Sequence, residues 1–272
     1  MAARRRRLDA ELVRRKMCDS RERARALIAD GRVIVNGVAA SKPATQVEPT
    51  TSIALTASDE PDWASRGAHK LLGALDAFEI VVEGARCLDA GASTGGFTDV
   101  LLTRGAARVE AVDVGYGQLV WRLRNDDRVG VHDKTNVRSL APEDIGGEVD
   151  LVVSDLSFIS LALVLPALAR CVRPGGDLLP MVKPQFEVGR DRVGQGGVVR
   201  DPGLRIESVT GVARTAAALG LETRGCVASP LPGPSGNVEY FLHLRDVGET
   251  EQVELTDSAV DAIRTAVEEG PR

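Results

Sequence analysis

The sequence predicts an α/β chain in which a small α+β module precedes a mostly parallel, doubly wound sheet. Three observations predict it. From residue 86 onward, short apolar segments alternate with amphipathic ones, the pattern of strands joined by crossover helices. Four of the apolar segments end in Gly91, Asp113, Asp155 and Lys183, and in open α/β sheets ligands bind at the carboxyl ends of the strands. Residues 1–42 carry twelve Lys/Arg against five Asp/Glu, a net +7 in a chain of net −5, which leaves −12 for the rest. A basic module on an acidic body implies a polyanionic partner, of which nucleic acid is the commonest.

The first module spans residues 1–60. Leu8, Leu12, Val13 and Met17 repeat at helical spacing. Asp19 or Ser20 can cap a second helix carrying Ala24, Leu27 and Ile28, which Gly31 ends. Val33-Ile34-Val35-Asn36-Gly37-Val38 then reads as a strand, a two-residue turn and a return strand. The arginines lie outside the apolar stripes. Polar residues around Pro61 mark a linker at 61–64.

The main domain spans residues 65–246. Ser65 can cap a helix over 66–78. Strands are expected at 86–91, 108–113, 129–131, 149–155, 177–183, 225–229 and 238–244, with helices at 97–104, 118–124, 159–172 and 204–219 between them. An acidic tail, 247–272, carries a last helix.

Composition excludes several classes. The longest apolar stretch, 158–169, is twelve residues and includes Pro166, short of the roughly 20 a membrane span needs. No membrane partner is expected. Four arginines open the chain where a signal peptide would place an apolar run soon after, so the expected location is the cytoplasm. Cys18, Cys87, Cys171 and Cys226 are scattered, and His69, His132 and His243 stand apart. That spacing predicts neither a metal site nor a disulfide framework. The chemistry must come from carboxylates, lysines and a bound cofactor.

A glycine-rich turn after the first strand and an acid closing the second occur in dinucleotide folds and in S-adenosylmethionine enzymes alike. The dinucleotide fingerprint needs a central glycine where this chain has Ser93. S-adenosylmethionine has no pyrophosphate to cradle, so the methyl donor tolerates that departure. Asp89-x-Gly91 with Gly95-Gly96 resembles the first motif of class I methyltransferases, which implies that Asp113 takes the ribose hydroxyls of the donor. For the acceptor, Asp155-Leu156-Ser157-Phe158 lacks the prolines of base-amino methylases. Lys70, Asp155, Lys183 and Glu239 instead resemble the Lys-Asp-Lys-Glu tetrad of ribose 2′-O-methyltransferases. A ribose hydroxyl is a poor nucleophile until its proton is removed or its lone pair is steered. A lysine desolvated by burial and crowded by a second cation can do this, and acids beside both lysines would orient them.

The resemblance extends further. Arg7-Leu8-Asp9, Ser20-Arg21, 31–37 and Lys42-Pro43 resemble the α-L RNA-binding domain, which implies RNA-phosphate contacts at Arg7, Arg21 and Lys42. Segments 65–71, 89–98, 113–119, 154–160, 182–187 and 233–240 follow in order, and the whole resembles the haemolysin-A-type (TlyA) rRNA methyltransferases. That family implies S-adenosylmethionine-dependent 2′-O-methylation of cytidine. The actinobacterial dual-subunit subtype implies 16S and 23S rRNA within 30S and 50S subunits as partners, no DNA, and susceptibility to capreomycin-type antibiotics. The donor site then comprises Gly91, Ser93, Thr94, Gly95, Gly96, Phe97, Asp113, Val114 and Asn136. Phe158, Ser235 and Asn237 become candidates around the acceptor nucleotide, where Phe158 either stacks a displaced base or opens the core of its helix. Segment 188–199 has the length of a mobile flap, with Arg190 and Arg192 toward phosphates. Pro61-Asp62-Trp63-Ala64 keeps the tryptophan of the family's linker but not its basic residue, so a coupling role extends only to Trp63. Two rivals stand beside this reading: an RNA-binding assembly factor without activity, and a membrane-lytic haemolysin.

Overall fold

In the computed structural model the chain divides into two units, Met1–Asp62 and Trp63–Arg272. The structure describes every residue except 1–4, 19, 30, 57–61, 234, 249–252 and 272. The sequence-based linker therefore falls partly outside the described residues, as does the expected cap Asp19. Of the rest of the linker, Asp62 pairs with Arg23 and Arg32 in the first unit. Trp63 is buried in a core cluster of the second, and the Ala64 amide donates to Asp99 Oδ2 at 2.9 Å.

The first unit runs β1 (Arg6–Arg7), α1 (Leu8–Arg14), α2 (Arg21–Ala29), β2 (Val33–Val35), β3 (Val38–Ala39), β4 (Gln46–Val47) and β5 (Ile53–Leu55). Leu8 and Leu12 from α1 pack with Ala24, Leu27 and Ile28 from α2, so the helical stripes find each other. Ser20 caps α2, its Oγ accepting from the Arg23 amide at 3.0 Å. Asn36 and Gly37 take φ of 49° and 84°, the paired positive values of the hairpin turn that Asn-Gly favours. Strand β5 adds a third strand against β2, which the sequence reading left out.

The second unit opens with α3 (Gly67–Ala77), then β6 (Arg86–Ala90), α4 (Gly96–Thr103), β7 (Arg108–Val112), α5 (Trp121–Arg124), β8 (Val129–His132) and β9 (Val149–Ser154). It continues with α6 (Leu165–Cys171), β10 (Val172–Val182), α7 (Pro184–Glu187), α8 (Pro202–Ala217), β11 (Leu221–Ala228), β12 (Tyr240–Asp246) and α9 (Asp257–Glu268). The sheet order is β11-β12-β10-β9-β6-β7-β8. Strands β6 to β10 are parallel, whereas β12 inserts antiparallel between β10 and β11. Two clusters of buried side chains, one on each face, fill the space between sheet and helices.

One helix departs most from expectation. The helix expected over 159–172 forms only over Leu165–Cys171, after a 3-10 turn at Leu161–Leu163. Ser160 caps that turn, and the half-buried Glu187 carboxylate accepts from Ser160 Oγ at 2.6 Å and from the Leu161 amide at 2.8 Å. Taking those donors, with Pro166 fixed in the first turn of α6, sets the later helix start. In the acidic tail, α9 lays Ile263 and Val267 into the main core and packs against β11 and α8.

Candidate active site

The carboxyl ends of β6, β7, β9 and β10 carry the residues singled out from sequence. The chain leaves β6 through a turn with φ of 93° at Gly91, 47° at Ser93 and 101° at Gly95. Gly91 is required by closeness as well as by φ: a Cβ there would lie 2.8 Å from the Asp155 carbonyl oxygen. Asp113, just past β7, accepts from the Ser93 amide at 2.9 Å and from the Gly115 amide at 2.7 Å, so it shapes the turn it faces. Thr94 is half-buried, and Gly96 opens α4 where a Cβ would lie 3.2 Å from the Ala68 amide nitrogen. Val114 is exposed. Asn136 caps the 3-10 turn at Val137–Ser139 by accepting from the Arg138 amide at 3.0 Å. Phe97 is buried and packs against Phe241 at 6.0 Å between centroids.

Beneath the turn lies Asp89. Its Oδ2 accepts from the Thr98 amide and hydroxyl at 2.8 and 2.7 Å. Its Oδ1 is buried with no hydrogen-bond partner among the described residues. Burial, reinforced by the charges of Asp155 and Asp113 and opposed by the Thr98 bonds, pushes its pKa up to about 7. Asp89 and Asp113 thus meet at this turn with no ion pair among the described residues, whereas Asp155 is paired with Lys183. Such a field favours a cationic ligand and opposes a pyrophosphate.

The four tetrad candidates form two short ion pairs. Lys70 Nζ on α3 stands 2.5 Å from Glu239 Oε2, and Lys183 Nζ stands 2.5 Å from Asp155 Oδ1. Lys183 also donates to Ser157 Oγ at 2.9 Å. Val182 faces Tyr240 in the β10–β12 ladder, so one more residue along the same register brings Lys183 level with Glu239. Both lysines are buried, as is Glu239. Gly233 leaves room for that acid, since a Cβ there would lie 2.5 Å from Glu239 Oε1.

At the mouth, Phe158 is 91% exposed with φ of 64°. It stands beside Phe186 at 5.3 Å between centroids. The positive φ costs backbone energy and the exposure leaves an apolar ring in water, which together single out a surface for contact. Of its two readings from sequence, the core one is overturned. Ser235 is exposed. Asn237 is buried, accepting from the Val199 amide at 2.9 Å and donating to the Gly197 carbonyl at 2.8 Å. It reaches an acceptor only through the loop it holds. In segment 188–199, Arg192 pairs with Glu207 at 2.7 Å, and the Arg190 side chain lies outside the description.

In the first unit, buried Asp9 gathers Arg7 and Arg21, each at 3.0 Å, and Arg25 at 3.5 Å. The hydrogen bond from Arg7 leads in holding Asp9 well below the usual carboxylate range. Buried Glu11 does the same for Arg14 and Arg15, at 2.6 and 2.9 Å. Lys42 is exposed, and its carbonyl closes a turn with Thr45.

Residues 63–246 match the model of the FtsJ-like methyltransferases, and residues 6–53 match that of the S4 domain. The chain belongs to the FtsJ-like methyltransferase family. It is 60% identical over 269 residues, 99% of this chain and all of the relative, to the 16S/23S rRNA (cytidine-2′-O)-methyltransferase TlyA of Mycobacterium tuberculosis H37Rv. It is 37% identical to Hemolysin A of Brachyspira hyodysenteriae, over 87% of this chain and 98% of that one. Among solved structures, a protein of Streptococcus thermophilus provisionally named a hemolysin superposes with a TM-score of 0.76 at 37% identity, covering 98% of both chains.

As an FtsJ-like enzyme the chain is an S-adenosylmethionine-dependent methyltransferase. Its crevice fits that donor, whose sulfonium and ammonium are cationic: Asp89 offers an orphaned buried oxygen, and Asp113 stands at the end of β7. Among the described residues no group of His, Cys, Asp and Glu could hold a metal ion, and no helix is long and apolar enough to cross a membrane. Ser157 and Phe186 escaped the sequence reading. Both lie within motifs singled out there, but only the fold brings them to Lys183 and Phe158.

Proposed function

We propose that this methyltransferase acts on the 2′-hydroxyl of cytidine in rRNA, with 16S and 23S rRNA in the 30S and 50S subunits as substrates. The observation that carries the chemistry is the pair of lysine–carboxylate bonds, Lys183–Asp155 and Lys70–Glu239, at 2.5 Å each. The choice of target is supported by full-length likeness to the Mycobacterium tuberculosis enzyme, named for cytidine in both rRNAs. The altered linker bears on neither.

In this reading S-adenosylmethionine supplies an electrophilic methyl group. Lys183, held between Asp155 and Ser157, sets the 2′-oxygen lone pair in line; as the oxygen attacks, Lys183 hands one of its protons to Asp155 and accepts the hydroxyl proton, so the pair as a whole gains one proton. Lys70 and Glu239 keep the neighbouring positive charge in place, so Lys183 need not move. Phe158 and Phe186 offer the flipped base an apolar face, and Ser235 a polar edge. Arg7, Arg21 and Lys42 hold RNA phosphates without reading sequence.

The test is transfer of labelled methyl to 30S and 50S subunits lacking the modification, with the sugar located by reverse-transcription stops at low nucleotide concentration. Label as 2′-O-methylcytidine on both subunits is expected. Label on one removes the dual target, and label on neither, with donor binding intact, returns the protein to the assembly-factor reading.

A further inference from the structure

A cavity of about 700 Å³ opens between the start of α8, the 235–236 turn and the end of α9, lined among others by Arg200, Pro202, Arg205, Ser235, Gly236 and Glu268. It lies one turn away from the proposed acceptor site: Gly233 abuts Glu239, and Gly233 accepts from the Gly236 amide at 2.9 Å.

Arg205 is the unexplained group. It is only 5% exposed. Its Nε donates to the Val199 carbonyl at 2.9 Å, and no acid among the described residues pairs with it. Its electrostatic neighbour is the hydroxyl of Tyr240, whose pKa burial pushes up, so that group stays neutral. A buried guanidinium without a counter-charge is costly, whereas the other buried cations among the described residues, Lys70 and Lys183, each have an acid. The four guanidinium donors that Val199 leaves, beside the exposed Arg200, form a fork for a tetrahedral anion; the helix start itself is closed by Asp201, whose carboxylate caps it. Glu268, also in the lining, opposes any anion there, so the arginines must outweigh it.

We propose that this cavity binds a backbone phosphate of the RNA strand next to the target nucleotide, with Arg205 as its main contact and Arg200 as its outer one. The proposal rests on the rRNA reading above and adds a contact in the catalytic unit that the arginines of the first unit do not supply. A phosphate seated there fixes the strand one turn from Lys183, so the ribose enters in one orientation.

The test uses ribosomal subunits sparsely ethylated at phosphates, sorted by whether the full-length protein methylates them, beside KM and kcat for Arg205→Met and Arg200→Ala. The expected result is one interfering phosphate within about two nucleotides of the methylated sugar. That interference disappears in Arg205→Met, whose KM for subunits rises about tenfold while kcat holds. Arg200→Ala and Glu268→Gln, both exposed, keep the test open if Arg205→Met misfolds: the first raises KM and the second lowers it. Unchanged KM in all soluble variants overturns the proposal. Loss of affinity without an interfering phosphate also overturns it, if inorganic phosphate raises the melting temperature of wild type and not of Arg205→Met; the cavity is then a free-anion site. Wild type that methylates neither subunit removes the rRNA reading instead, and the phosphate-dependent melting shift still reports whether the cavity takes an anion.

Discussion

Both units bury acids to orient cations, yet they do so in opposite proportions. In the N-terminal unit one buried Asp9 gathers Arg7, Arg21 and Arg25, whose side chains remain 42%, 51% and 57% exposed. In the methyltransferase unit Lys70 and Lys183 are 10% and 8% exposed at the side chain, and each has one carboxylate to itself. The first arrangement leaves a surplus of positive charge in water, which suits a long polyanion held loosely. The second cancels charge and fixes direction, which suits one bond made at one atom. In the function proposed above, net charge marks where RNA is gripped and paired charge marks where it is altered.

Breaking the paired side has the largest expected effect. Lys183→Ala is expected to lower methyl transfer by about 10² to 10⁴, the usual contribution of a positioned acid–base group. S-adenosylmethionine affinity, measured by calorimetry, stays within about twofold, since no donor-side contact is lost. Equal losses in both would make Lys183 a structural residue.

Breaking the surplus side has a smaller and differently shaped effect. Arg7→Ala and Arg21→Ala are each expected to lower the slope of log affinity against log salt by about 0.7 to 0.9, one phosphate contact apiece. Methyl transfer at saturating subunits is unchanged. Asp9→Asn weakens the grip of both at once, because the arginines lose their common anchor, and costs about 1–2 kcal/mol of stability once the exposure of its partners is allowed for. An unchanged salt slope in Asp9→Asn would show that the arginines need no anchor.

Acid separates buried acids with several cations from the rest. Burial alone would raise Glu110, but His132, Arg108 and Arg86 outweigh it and hold its pKa down to about 2; Arg14 and then Arg15 do the same for Glu11. Each folded value lies below the ordinary 4.5, so the stabilisation is complete above 4.5 and is lost as pH falls through about 2. Glu110→Gln is expected to remove about 1–2 kcal/mol at neutral pH, discounted for the half-exposed Arg108, and to flatten acid unfolding in that window. Chemical denaturation at stepped pH reads both.

Much of this contrast was legible in the sequence because strand ends were. Gly91, Asp113, Asp155 and Lys183 break apolar runs, and a parallel sheet brings such breaks to one edge. What stayed hidden depends on tertiary neighbours. Phe97 follows two glycines, where an aromatic can face a ligand or the core, and only the packing of Phe241 decides. Asn237 reads as a polar loop residue until the 197–199 segment folds over it. Arg205 sits in an amphipathic helix and reads as solvated; its burial appears only once Val199 folds against it. Strand β5 is three residues long and alternates too briefly to register.

Asp89 sharpens the comparison most finely, as a buried acid with no cation of the protein's own. Its folded pKa, about 7 against an ordinary 3.8, means that the folded protein keeps a proton the unfolded chain has lost, so its burial costs stability increasingly as pH rises from 3.8 to about 7. A cationic donor reverses that penalty by pairing with the ionised form. S-adenosylmethionine affinity is therefore expected to rise about tenfold from about pH 6 to about pH 8, with release of a proton on binding that calorimetry in two buffers would count. Asp89→Asn keeps an acceptor for Thr98 and removes the charge, so its affinity is expected to be weaker and level across that range. Equal pH profiles in the two proteins would mean that the donor meets the crevice through Asp113 and Asp155 alone, leaving Asp89 as the acid that fixes the start of α4.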